Sequence, residues 1–129
     1  MTADRNAPHS TDAAAARKLK GPARGDMSLA PVLTALSDPV RLEIVCMLAS
    51  GRELSCGSFG VPIAKSTLTH HLRVLREAGV ITQRAVSTSR MTCLRRADLD
   101  ARFPGLLDSV LAAARKRRVR GYANARPLL

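Results

Sequence analysis

The chain has 129 residues, room for one domain and little more. Hydrophobic residues make up 46% but aromatics only 2%, so the core must rest on Leu, Val, Ile and Ala, and a core that small gains from a partner subunit. The formal net charge of +11 points to a polyanion, without choosing among DNA, RNA and an anionic membrane.

Residues 1–26 read as a disordered arm. Pro8, Gly21, Pro22 and Gly25 punctuate a polar, Ala-rich stretch, with at most a transient helix over Ala13 to Lys20. From Met27 the pattern changes, and the domain is expected over residues 27–118. Leu29, Val32, Leu33 and Leu36 have helical spacing that closes at Ser37. Asp38-Pro39 then starts a second helix, with Asp as N-cap and Pro at the first position, where its missing N–H costs nothing. Leu42, Val45, Cys46 and Ala49 continue it, Ile44 and Leu48 widen the apolar stripe, and Gly51 ends it.

Residues 52–62 are broken by Gly57, Gly60 and Pro62, so a turn or two of helix is the most that fits. A longer helix follows from about Ala64 to Ala78 and stops at Gly79. Val80 to Val86 and Arg90 to Arg95, joined by Ser87-Thr88-Ser89, predict a β-hairpin. Asp98 to Arg102 adds a turn. Pro104 is expected to open the last helix, with Leu107, Val110, Leu111 and Ala114 on one stripe, and residues 119–129 form a basic tail. The fold class is therefore mainly α with a small β-hairpin, in the order of a winged helix-turn-helix.

The charge is uneven. Residues 27–111 hold ten Lys/Arg against seven acids, whereas residues 112–129 hold six and no acid. The basic excess lies at the C-terminal end, so charge alone leaves a nonspecific architectural DNA- or RNA-binding protein open. The helix over 64–78 says more. At about 100° per residue, Leu68, His71, Leu72 and Leu75 share one side, and Ser66, Thr69, His70, Arg73 and Glu77 the other. Hydroxyls, a histidine and an arginine can reach base edges and phosphates in a major groove. His71, at the apolar boundary, is expected to pack and hydrogen-bond instead.

Two motifs carry a resemblance. The runs Ala35-Leu36-Ser37-Asp38-Pro39-Val40-Arg41-Leu42-Glu43-Ile44 and Lys65-Ser66-Thr67-Leu68-Thr69-His70-His71-Leu72-Arg73-Val74-Leu75-Arg76-Glu77-Ala78-Gly79-Val80-Ile81 resemble the ArsR/SmtB family of bacterial transcriptional repressors. The resemblance covers about residues 28–111. It implies a homodimer that reads an inverted repeat in double-stranded DNA and is released by an effector. Lys65, Ser66, Thr67, Thr69, His70 and Arg73 would face DNA, and Arg84 or Arg90 of the wing would meet the flanking backbone or minor groove. The terminal helices would form the dimer interface through Leu29, Leu33, Leu107, Val110, Leu111 and Ala114.

The sequence departs from the family's metal sites. Glu53-Leu54-Ser55-Cys56-Gly57 has one cysteine where a Cys-x-Cys pair is needed, and the last helix offers only Asp108 as an oxygen ligand. No metal and no cofactor are expected. Cys56 remains as a candidate redox sensor, while Cys46 and Cys93 read as small hydrophobes. That role is lost if Cys56→Ser leaves DNA release by peroxide or diamide unchanged. An enzyme is disfavoured, because adjacent His70 and His71 point about 100° apart and no acid is placed to orient either. With no secretory signal and no run near the roughly 20 apolar residues of a membrane span, the expected location is cytoplasmic.

Overall fold

The computed structural model describes residues 16–117. Strand β1 (Ala16–Lys18) and a 3-10 turn (Arg24–Asp26) lead into helices α1 (Leu29–Leu36) and α2 (Pro39–Leu48). A two-residue strand β2 (Leu54–Ser55) and a 3-10 turn (Cys56–Ser58) precede α3 (Lys65–Ala78). Strands β3 (Ile81–Val86) and β4 (Ser89–Leu94) follow, then α4 (Arg96–Arg102) and α5 (Leu106–Arg117).

Helix α2 forms where the cap predicts. The Asp38 carboxylate accepts from the Val40 and Arg41 amides at 2.8 and 3.1 Å, consuming two donors that the helix cannot satisfy itself. Its wide apolar stripe is explained by its central position. Ile44, Val45 and Leu48 are fully buried, and the same core takes in Leu72 and Leu75 of α3 and Leu107 and Leu111 of α5. Phe59 and Met27 join them at 4% and 1% exposure, so the core is less purely aliphatic than composition implies.

The hairpin has the expected register, from Ile81↔Leu94 to Val86↔Ser89. Its two-residue loop is Ser87-Thr88, and Ser87 takes φ +56° because a tight turn between right-twisted strands needs a positive φ. The wing is more than a hairpin, however. The sheet has four antiparallel strands in the order β1-β3-β4-β2.

Two expectations are corrected and one holds. The disordered arm does not extend to residue 26: β1 pairs with β3, and the segment to Met27 is strapped over the wing and α3. Leu19 donates from its amide to the Gln83 carbonyl at 2.8 Å, Arg95 Nη1 donates to the Pro22 carbonyl at 2.7 Å, and Arg24 pairs with Asp98 at 2.6 Å. Between Gly51 and α3 the helix content is one 3-10 turn beside the short strand β2, within the turn or two expected, since Gly60 at φ +65° and Pro62 stop any longer helix. Finally, α5 begins at Leu106 rather than Pro104, after Gly105 in the left-handed region at φ +83°. Residues 1–15 and the proposed tail 119–129 lie outside the described residues. Among the described residues no helix is long and apolar enough to cross a membrane.

Candidate nucleic-acid interface

Helix α3 presents two faces. Leu72 and Leu75 are buried, whereas Lys65, Ser66, Thr67, Thr69, His70, Arg73 and Glu77 are exposed. The helix begins after Ala64, whose side chain cannot cap, so the first-turn amides remain available to an anion beside the exposed Lys65. It ends at Gly79, whose φ of +94° lets its amide bond back to the Leu75 and Arg76 carbonyls.

The buried side of α3 is clamped by one arginine. Arg41 donates to the Ala35 carbonyl at 2.7 Å and the Thr34 carbonyl at 3.3 Å, and its Nη1 lies 3.1 Å from His71 Nδ1. A guanidinium has no acceptor, so His71 Nδ1 must accept and the ring is neutral. Burial holds the His71 pKa below the ordinary histidine value, against the pull of Asp38 3.8 Å away; the Arg41 and His70 charges push the same way as burial. One side chain thereby joins the end of α1, the start of α2 and the middle of α3. His70, one residue away, stays in solvent with its ring centroid 5.8 Å from that of His71.

A second polar network lies under the wing. Gln83 is only 2% exposed on the inner face of β3. Its Oε1 accepts from Arg76 Nη1 of α3 at 2.7 Å, and its Nε2 donates to Thr92 Oγ1 at 3.2 Å and to Cys56 Sγ at 3.8 Å. Arg76 Nε also donates to the Lys20 carbonyl at 3.0 Å, tying helix, wing and strap together. Neither Arg76 nor Gln83 stands out as a site residue in the sequence. The available signal was a polar residue at an inward strand position, which requires a buried partner.

The wing separates its two arginines. Arg84 forms a bidentate pair with Glu53 at 2.6 and 2.9 Å, which also holds the Glu53 pKa below the usual carboxylate range. Its guanidinium is thus engaged on the outer face, away from α3. Arg90 is exposed on the inner side, where an open cleft of about 740 Å³ runs between the wing tip and the first half of α3, bordered by Lys65, Thr69, Thr88 and Arg90.

The remaining expected residues divide. Leu29 and Leu33 of α1 are large, apolar and about half exposed, at 47% and 45%. Val110 is half-buried, while Leu107, Leu111 and Ala114 are buried within the chain itself and offer little surface to a partner. Cys56 is half-buried against Gln83, and desolvation pushes its thiol pKa up despite the nearby Arg90 and Lys65 charges. That is the opposite of what a reactive thiolate needs. Among the described residues no group of three or more His, Cys, Asp or Glu is placed to hold a metal ion.

A family model described as a helix-turn-helix domain matches residues 36–84. The chain is 39% identical over 88 residues to the uncharacterized HTH-type transcriptional regulator YceK of Bacillus subtilis, covering 66% of this chain and 88% of that one. It belongs to the ArsR-like family of winged helix-turn-helix transcriptional regulators. The crystal structure of the transcriptional repressor BigR from Xylella fastidiosa superposes with a TM-score of 0.51 at 29% identity, covering 70% of this chain and 82% of that one. A structure described as a "possible transcriptional regulator for arsenical resistance" gives 0.52 at 29% identity, with 69% and 96% covered. The chain is accordingly a DNA-binding transcriptional repressor.

Proposed function

We propose that the chain is a dimeric repressor that reads an inverted repeat through α3. Ser66, Thr69, His70 and Arg73 contact base edges in the major groove. Lys65, Thr67, the first-turn amides and Arg90 hold phosphates. One observation carries this reading: the polar stripe of α3 is wholly exposed while the opposite side is fixed by the core and by the Arg41–His71 contact. A rigid helix with short, directional polar groups is suited to reading a groove. A second copy would cover Leu29 and Leu33 with Val110 beside them, and Leu107, Leu111 and Ala114 would only position that surface.

His70→Ala and Arg73→Ala are the test. Each is expected to weaken binding to a duplex selected by the protein from a random pool by about 1–3 kcal/mol, with little change on a scrambled duplex. Unchanged affinity for the selected duplex in both variants rejects the assignment. The effector that releases DNA is a separate matter, and DNA release by peroxide or diamide in wild type against Cys56→Ser tests a thiol trigger directly.

A further inference from the structure

Strand β1 changes what the wing can bind. Residues directly opposite one another in an antiparallel sheet share a face. Arg17 stands opposite Ala85, and Ala85 opposite Arg90, so the two arginines flank one small residue on a single face. Gln83 lies on that same face, and it reaches Arg76 of α3; the face is therefore the one turned toward the recognition helix. Lys18 stands opposite Arg84 on the outer face, where Glu53 neutralises the arginine. Arg17 and Arg90 are both exposed, and neither has an ion pair among the described residues. Two strand spacings put their Cα atoms about 10 Å apart, which lets them reach separate phosphates.

We propose that β1 adds a phosphate-gripping rung to the wing, with Arg17 holding the duplex backbone beside Arg90, outside the bases read by α3. The proposal rests on the DNA-binding reading above. Its occupant is the DNA backbone because Arg17 and Arg90 are cationic and carry no ion pair among the described residues, and Arg76 of α3 lies in electrostatic reach of Arg90 and Arg73, with Glu77 the one acid acting on it. The strap is also anchored well enough to hold the rung in place. The Leu19 amide bonds to Gln83, the Lys20 carbonyl to Arg76 and the Pro22 carbonyl to Arg95, at 2.7 to 3.0 Å.

The register makes the test sharp, since neighbouring residues of like charge receive opposite expectations. Full-length wild type, Arg17→Ala, Lys18→Ala and Arg73→Ala are titrated against the selected and scrambled duplexes by fluorescence anisotropy from 50 to 200 mM KCl. Loss of one phosphate contact lowers the slope of log affinity against log salt by about 0.9 per bound chain. Across that fourfold salt range, Arg17→Ala should therefore lose about 3.5-fold less affinity per chain than wild type, on both duplexes. Lys18→Ala should keep the wild-type slope. A wild-type slope in Arg17→Ala overturns the proposal, and so does an equal fall in Lys18→Ala, which would mean a mere loss of charge. Arg73→Ala isolates the other reading: its failure to affect the selected duplex would count against α3, whereas the Arg17 slope is still measured on the scrambled one.

Discussion

Gly79 offers a way to ask whether the strap and the recognition helix move as one body. Gly79→Ala places a side chain at φ +94°, a conformation that costs an L residue about 1–2 kcal/mol. The new Cβ would stand 2.9 Å from Met27 Cγ and 3.1 Å from Pro22 Cγ. Neither neighbour can retreat freely. Met27 is 1% exposed with its carbonyl held by Arg102 at 2.6 Å, and the Pro22 carbonyl is held by Arg95. Overpacking of this kind adds about 1–3 kcal/mol. The expected loss is about 2–5 kcal/mol, a large part of the roughly 5–15 kcal/mol that holds a domain together. Urea denaturation followed by circular dichroism reads it directly. The midpoint should fall by about 1–3 M with little change in slope, for a slope of about 1.5–2 kcal/mol/M. Met27→Ala should partly relieve the clash, giving a coupling of about 1–2 kcal/mol in the double-mutant cycle. An unchanged midpoint, or the gain of about 0.4–1 kcal/mol that a Gly-to-Ala change gives where the backbone accommodates it, would refute the argument that the strap is pinned there.

Two further outcomes are expected. His71 has its folded pKa depressed below the ordinary histidine value of about 6.5, chiefly by burial, so its stabilising contribution is complete above that value and is lost as pH falls through the folded pKa. The melting temperature should drop below about pH 6.5, His71→Gln should flatten that drop, and an NMR titration placing His71 above 6.5 would contradict it. Leu33→Glu should shift the chain toward monomer in sedimentation velocity and weaken binding to the palindromic site more than to an isolated half-site. A dimer that survives Leu29→Glu together with Leu33→Glu would place the interface elsewhere.

The helices and the hairpin were legible because their signals are local. Asp38-Pro39 and Gly79 mark ends by backbone chemistry, and the spacing of Leu68, Leu72 and Leu75 assigns a buried side without knowledge of what covers it. Strand β1 was not legible. Ala16-Arg17-Lys18 has no alternating apolar pattern, and it becomes a strand because the open edge of β3 supplies backbone partners. The same limit explains the terminal helix. Leu107 and Leu111 form a stripe that fits a dimer interface or a monomer core equally well, and only the position of α2 decides for the core. Glu53 could not have been paired with Arg84 from sequence either, since the contact depends on β2 lying beside β4.

Like residues near one another in this chain have been given different work, and geometry decides which does what. On α3 a step of about 100° separates His70 in solvent from His71 against Arg41, and three positions separate exposed Arg73 from Arg76 bound to Gln83. In the sheet, alternation separates Arg17 from Lys18 and Arg90 from Arg84. In the α3 pairs and in Arg90 against Arg84, one member holds the scaffold through an identified partner, and the other is left exposed with an unspent charge or hydrogen-bonding group. The holding members could be replaced by uncharged residues only at the expense of helix or wing placement. The free members could be replaced with little loss of stability. Stability and DNA affinity should therefore separate cleanly within each pair: Arg76 and His71 variants melt lower, whereas Arg73 and His70 variants fold normally and bind poorly.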